Sequence, residues 1–412
     1  MKETKFKDTE IGKIPEEWEI GYFGDVLCTF SAGATPYRGI PDYYNGKINW
    51  ISSGELNYNV IYDTIEHISE EALRNTNLCL HAPGTFLMAI TGLEATGTRG
   101  KCAFVGAPSA TNQSCLAING TNKMDIKYLY WYYRMYGDYL AFKYSQGTKQ
   151  QSFTVTIVKN LPITYPKQVI EQHHIASAIT SIDNLIASLG KLIEKKKNIK
   201  QGAMQQLLTG KTRLKGFTEP WVYRKISEIA TTSSGGTPSR SIPNYYYGDI
   251  KWFTTTELKD NYLYDSVEHI TREALNNSSA KMFSANTILM AMYGATIGKL
   301  GVLKEPSTTN QACCAIKCND IVEIFLFYIL LYNRKSIIEK GCGAGQPNIS
   351  QAIVNELSFL VPPCEKEQQA IATILTKMDD EITALEAKRA KYEAIKQGMM
   401  QQLLTGKIRL IS

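Results

Sequence analysis

No stretch of this 412-residue chain approaches the roughly 18 consecutive apolar residues that a membrane span needs. The opening segment MKETKFKDTEIGKIPEEW is polar throughout and offers no apolar h-region, so no secretory signal is expected. Nine cysteines make an odd number without a CxxC pair, which argues against a disulfide framework and against a zinc site. Three of them, Cys313, Cys314 and Cys318, fall in the apolar stretch CCAIKC and read as buried free thiols. A reduced, cytoplasmic chain is the expectation. Neither sign of charge dominates, with 45 Lys and Arg against 39 Asp and Glu. So small a surplus permits an anionic partner without demanding one.

Catalytic signatures are missing as well. The chain has no GxxxxGK[ST] loop, no GxSxG and no HExxH. The segments LPIT and VPPC lack the acidic or amide residue and the aromatic of a D/N-PP-Y/F amino-methyltransferase motif. Asp249 with Glu257, Leu258 and Lys259 faintly resembles a nuclease carboxylate cluster. The first half of the chain holds Lys47, Glu55, Leu56 and Asn57 there, so the constellation is not duplicated. GCGAG, Gly341 to Gly345, does not open a dinucleotide unit and reads as a turn. His67 and His269 occupy matching EHI segments and read as structural; His173 and His174 read as solvated. No catalytic residue, metal ion or cofactor is expected.

What the chain does have is a repeat. IKQGAMQQLLTGKTRL, Ile199 to Leu214, returns as IKQGMMQQLLTGKIRL, Ile395 to Leu410, with fourteen of sixteen positions identical. A separation of nearly half the chain is far longer than a solenoid repeat of about 20–50 residues. Two whole domains are implied. SAGATPYRGIPDYYNGKINWISSGEL (Ser31–Leu56) aligns with SSGGTPSRSIPNYYYGDIKWFTTTEL (Ser233–Leu258), and further anchors follow in order through Asn112-Gln113 and Asn310-Gln311. Short apolar runs divided by Gly, Pro, Asn and Ser point to a mixed α/β (α+β) fold with several short strands. A helical patch at Ile126–Tyr144 follows them.

Past Pro166 the apolar residues Ile175, Ile179, Ile182, Ile186, Leu189 and Ile193 step by 4 and 3 alternately. That period of 3.5 marks a coiled-coil seam. Ile371, Leu375, Met378, Ile382 and Leu385 repeat it. A helix of about 40 residues cannot leave such a stripe in water, so the two are expected to pair antiparallel, with packing of each on its own globule as the alternative. The expected segmentation is a globule at 1–166, a helix at 167–210, a globule at 211–362 and a helix at 363–408, related by a pseudo-twofold. GKIPEEW near the start resembles KGFTEPW after the first helix, so the C-terminal tail should lie close to the N-terminal segment.

These elements, in this order, resemble the specificity (S) subunits of type I restriction-modification systems. The residues that carry the likeness are GATP (Gly33–Pro36) and GGTP (Gly235–Pro238), Trp50 and Trp252, and the two Asn-Gln pairs. GTKQ (Gly147–Gln150) and GAGQ (Gly343–Gln346), then the helix openings PKQVIEQHHIA and PPCEKEQQAIA, complete it. One departure is Pro166-Lys167, where the second copy has Pro362-Pro363. The resemblance implies two target recognition domains, each reading half of a bipartite site in double-stranded DNA. It implies paired helices that act as a ruler and dock two methylation (M) subunits, which restriction (R) subunits then join, with no membrane partner. It also implies no catalytic group in this chain.

Base reading needs polar side chains on rigid loops. In the first copy the candidates are Tyr37, Arg38, Arg99, Lys101, Thr148, Lys149, Gln150 and Gln151. In the second they are Ser239, Arg240, Tyr293, Lys299, Gln346 and Asn348. Frame residues match between copies while the loops differ, GTKQQS against GAGQPN, so two different half-sites are expected. A coiled-coil adaptor that binds only proteins is the alternative. The Asn-Gln pairs serve equally well as turn residues.

Overall fold

The computed structural model describes residues 5–9, 12–95, 97–147, 149–341 and 348–411. It divides into two compact units, one of residues 1–190 with 388–412 and the other of residues 191–387.

In the first unit a five-stranded sheet runs in the spatial order Cys28–Ala32, Cys115–Asn119, Phe86–Ala89, Cys102–Val105 and Val60–Ile61. All pairings are antiparallel except the last. Its central strand is buried on both faces, which is why Phe86–Ala89 reads as an unbroken apolar run. Phe86 and Met88 face the helix Ile126–Tyr144 in one core. Leu87 and Ala89, pointing the other way as strand alternation requires, meet Ile51 and Leu56 in a second core. Ile51 belongs to a three-stranded sheet of Ser109–Thr111, Ile48–Ile51 and His67–Ile68. A third pairing joins Trp18–Tyr22 to Pro162–Pro166.

The second unit repeats this plan. Its five-stranded sheet is Ala230–Ser234, Cys313–Cys318, Ile288–Ala291, Leu300–Leu303 and Asn261–Leu263, and its three-stranded sheet is Glu268–Ile270, Ile250–Phe253 and Thr308–Thr309. Cys313 and Cys314 are buried in it, and burial pushes both thiols up to about 12. The counterpart of the Ile126–Tyr144 helix is broken into Glu323–Tyr332 and Arg334–Gly341. Asn333 stands at the break and turns its amide back on the Ile329 carbonyl, the local bonding that makes Asn a helix terminator.

The long helices span Val169–Leu207 and Glu365–Leu403, 39 residues each, or ~58 Å. Each unit takes the start of one and the end of the other. Within the first unit Asp183 pairs with Lys396 and Glu171 with Arg409; within the second, Asp379 pairs with Lys200 and Glu367 with Arg213. As one residue number falls its partner's rises, so the helix segments in each unit run antiparallel. Burial is complete at Ile175, Ile179, Ile371 and Leu375 but partial at Ile182, Ile186, Met378 and Leu385. The buried positions touch a globule as well as the other helix.

The duplicated ends explain why the units cut across the helices. Met400, Leu403 and Leu404 fill the core of the first unit, and Met204, Leu207 and Leu208 that of the second. Each helix end is therefore a plug; three buried aliphatics contribute roughly 1.5–3 kcal/mol apiece before entropy is subtracted. Both readings of the sequence hold at once, pairing in the seam and packing on a globule. Gly210 and Gly406 end the plugs at φ +68° and +69°, where a side chain would strain the backbone. A Cβ on Gly406 would also strike Pro15 and approach Trp18. With the Arg409–Glu17 pair at 2.7 Å, this places the C-terminal tail on the N-terminal segment.

Candidate nucleic-acid interface

The strand Phe86–Ala89 runs directly into a polar loop that ends at Lys101. A second loop leaves the helix Ile126–Tyr144 and rejoins the fold at Phe153. Backbone bonds lay one on the other: Phe153 N–H donates to the Ile90 carbonyl at 2.8 Å and Leu93 N–H to the Gln151 carbonyl at 3.0 Å. The Gln151 N–H donates to Glu94 Oε2 at 2.9 Å. The second unit builds the same junction, Ile349 N–H to the Met292 carbonyl at 2.7 Å with Tyr293 opposite Asn348. Lys101, Lys149, Gln150 and Gln151 are thus brought onto one pair of loops, as are Tyr293, Lys299 and Asn348. Thr148 and Gln346 lie outside the described residues, as does most of the GCGAG segment.

Chemistry differs between the two junctions. Lys149 and Gln150 are exposed. Lys101 Nζ donates to Asn57 Oδ1 at 2.7 Å and stands 4.7 Å above the Tyr58 ring. Asn57 is itself exposed, and its amide carries donors besides the oxygen that Lys101 occupies. A cavity of about 240 Å³ opens there, lined by Ser53, Gly54, Leu56, Asn57, Gly97, Thr98 and Lys101. In the second unit Lys299 Nζ lies 3.0 Å from Asp260 Oδ2, and Arg334 donates to the same carboxylate. A lysine shared with a neutral amide keeps its charge for a phosphate or a base edge. One set against a carboxylate is largely spent.

Of the remaining candidates, Tyr37, Arg38, Ser239 and Arg240 sit apart from the loop pairs, and Arg99 lies on the first loop without facing out from it. Arg99 is turned inward, mostly buried over Phe142, with Nε 3.3 Å from Asp138. Arg38 forks onto Glu66 (Nη2 to Oε2 2.8 Å) and stacks 4.2 Å over Tyr44 and 5.4 Å over Trp50. Arg240 does the same with Glu268, Tyr246 and Trp252. The guanidinium hydrogen bonds hold the Glu66 and Glu268 carboxyls below the ordinary glutamate range. Both arginines are therefore clamps that fix the loops carrying Tyr37, which is 72% exposed, and Ser239, whose hydroxyl bonds Ser241.

The Asn-Gln pairs work as turn residues. Asn112 Oδ1 accepts from Ser114 N–H, and Gln113 accepts from the Thr35 hydroxyl; Asn310 and Gln311 treat Ala312 and Thr237 alike. Gly33 and Gly235 complete the GxTP frame, since a Cβ there would fall about 2 Å from the carbonyl of Thr111 or Thr309. His67 and His269 bond Asp63 and Asp265 at 2.9 and 3.1 Å. His173 bonds Asp125 and His174 the Leu410 carbonyl. Among the described residues no cluster of three or more His, Cys, Asp or Glu side chains is placed to hold a metal ion, and no helix is long and apolar enough to cross a membrane.

One frame built twice, with the same clamps and turns but different loop side chains, defines a tandem-duplicated recognition protein. The chain belongs to the family described as the type I restriction modification DNA specificity domain, which matches it twice, over residues 15–200 and 218–397. It is 32% identical over 430 residues to the type I restriction enzyme MjaIX specificity subunit of Methanocaldococcus jannaschii, covering 99% of this chain and 97% of the relative. It is 27% identical over 269 residues to the EcoR124I/EcoR124II specificity subunit of Escherichia coli, covering 63% and 64%. Among solved structures, the S subunit of a type I restriction-modification system from M. genitalium superposes with a TM-score of 0.62 at 16% identity, over 94% of this chain and 96% of that one. That likeness concerns the fold.

Proposed function

We propose that this chain is the DNA sequence-specificity subunit of a type I restriction-modification complex, and that each unit reads one half of a bipartite target in duplex DNA. The observation that carries the reading is the pair of loop junctions, joined by matching backbone bonds at Ile90–Phe153 and Met292–Ile349 and different in side chains. Tyr37, Lys101, Lys149, Gln150 and Gln151 serve the first half-site, with Asn57 added to them. Ser239, Tyr293, Lys299, Gln346 and Asn348 serve the second, with the exposed Lys259 added. Thr148 belongs to the first set by its place in the sequence. Arg38, Arg99 and Arg240 hold loops rather than bases.

In this reading the paired helix segments set the gap between half-sites and dock two methylation subunits, and restriction subunits join that assembly. The chemistry of methyl transfer and cleavage belongs to those partners. Affinity comes mainly from phosphate contacts, so it falls steeply with salt, while base-edge bonds supply the sequence preference. The test is to map methylated adenines across a genome that carries the complete system. A single two-part sequence with a fixed gap is expected. Methylation without any sequence preference, or sequence-selective binding lost from the assembled complex, refutes it and favours a protein-only adaptor.

A further inference from the structure

The segment Tyr62-Asp63-Thr64-Ile65-Glu66-His67 returns as Tyr264-Asp265-Ser266-Val267-Glu268-His269, and nearly every polar atom in it is used to hold it still. Thr64 Oγ1 donates to the Glu66 carbonyl and accepts from Trp50 N–H; Ser266 does the same with Glu268 and Trp252. Asp63 and Asp265 each accept from the next backbone N–H and from the histidine four residues on. Glu66 and Glu268 take the arginine clamps. Ile65 N–H donates to Glu55 at 3.0 Å and Val267 N–H to Glu257 at 2.8 Å, carboxylates that also cap the preceding turn.

What this rigid loop presents outward is apolar. Ile65 is 86% exposed and Val267 85%, beside Tyr62 and Tyr264 at 69% and 66%. A single exposed aliphatic needs no explanation. A β-branched tip, an aromatic neighbour and the same hydrogen-bonded scaffold in both units do, because the fold gains nothing from side chains left in water. The base-reading loops of the two units have diverged; this loop has not. Its occupant is therefore the same for both units, which two different DNA half-sites are not. Phosphate is disfavoured too, since the exposed Asp63 and Asp265 carboxylates flank the apolar tips.

We propose that these loops are matched docking sites for two copies of one protein, whose surface offers an apolar pocket for Ile65 or Val267 with a basic rim facing Asp63 or Asp265. Rigid loops lower the ordering cost of binding, and a buried aliphatic anchor at the centre of a small patch carries a large share of interface energy. The occupant is the methylation subunit, so the inference rests on the function proposed above.

The full-length chain is mixed with the methylation subunit of its own system, without DNA, and copies bound are counted by native mass spectrometry with affinities from calorimetry. Wild type takes up two copies. Ile65→Asp and Val267→Asp each weaken one copy roughly tenfold or more, and the double variant weakens both. Tyr62→Ser with Tyr264→Ser, at exposed positions that leave thermal unfolding unchanged, weakens both in the same direction. Two copies bound to the double aspartate variant at wild-type affinity overturn the inference and leave the proposed function standing. Normal assembly with lost DNA affinity also overturns it, because the loop would then touch DNA. A wild-type chain that takes up no methylation subunit overturns the proposed function itself.

Discussion

Replacing Arg409 by Met removes the one cation that reaches Glu171 among the described residues. The Glu171 side chain is 1% exposed, and its two oxygens receive Arg409 Nε at 2.6 Å and Nη2 at 2.8 Å. Breaking a buried pair from one side costs about 3–5 kcal/mol, because the remaining charge is left without water or partner. Arg409 keeps some solvent and its second partner Glu17 is exposed, so the lower end, about 3 kcal/mol, applies. Removing both charges as Glu171→Met with Arg409→Met should cost only about 1 kcal/mol, since apolar replacement of a whole buried pair is often near neutral. The chain has two units, so a single melting temperature is a poor readout. Hydrogen exchange of peptides covering residues 388–411 reads the local opening instead. Protection there should fall on the order of a hundredfold for Arg409→Met and largely return in the double variant. Peptides covering 204–214, held by Arg213 and Glu367 in the other unit, should not change. Unchanged protection in Arg409→Met, or a double variant worse than the single, refutes the assignment of this pair as a latch.

Exchanging Gly147–Ser152 for the GAGQPN sequence should alter one half-site in the methylation map and leave the other as it was; a change in both refutes the division of labour. Lys101→Met should reduce the slope of log affinity against log salt by about 1, and Lys299→Met by less, because Asp260 already meets that charge; equal slopes refute the contrast. Glu66 and Glu268 have carboxyls held below the ordinary value of 4.5, so their contribution is present above that value and lost as pH falls through the lower folded one. The stability gap between wild type and Glu66→Gln with Glu268→Gln, followed by urea unfolding, should be constant at neutral pH and shrink only in acid; a gap that persists at the lowest pH refutes the clamp. Residues inserted between Gln205 and Gly210 should unseat Leu207 and Leu208 and destabilise the second unit, whereas a heptad added after Lys191 and another after Ala387 should lengthen the gap between unchanged half-sites; altered half-site sequences refute the ruler.

The seam was legible because period is a local property: steps of 4 and 3 are visible in any window of the chain. Its uneven burial was not, since Ile182 and Ile186 differ from Ile175 and Ile179 only in what else stands beside them. The same limit applies to the loops. A sequence shows that Arg38 and Arg99 are basic, but Glu66 and Asp138, which occupy them, lie 28 and 39 positions away and are brought near by the sheet. A signal was present for one of them. Arg38, Tyr44, Trp50 and Glu66 are all retained as Arg240, Tyr246, Trp252 and Glu268, and four side chains kept together across a duplication belong to one construction. Arg99 has no basic counterpart, and nothing local marks it as buried.

Comparison of the two halves therefore sorts residues by the kind of thing they meet. Plug residues are kept because both cores must receive a helix end of the same shape. The Tyr62–His67 loop is kept although its tips are left largely exposed, and the proposed partner common to both units supplies a reason for its retention. The loop junctions keep only their backbone bonds. There the side chains differ in charge: an amide stands beside Lys101 in one unit, a carboxylate beside Lys299 in the other. A domain whose lysine is free can lean on phosphate and on guanine edges. One whose lysine is neutralised must draw its preference from uncharged groups such as Tyr293 and Asn348, and the two halves of the target should differ in base composition accordingly.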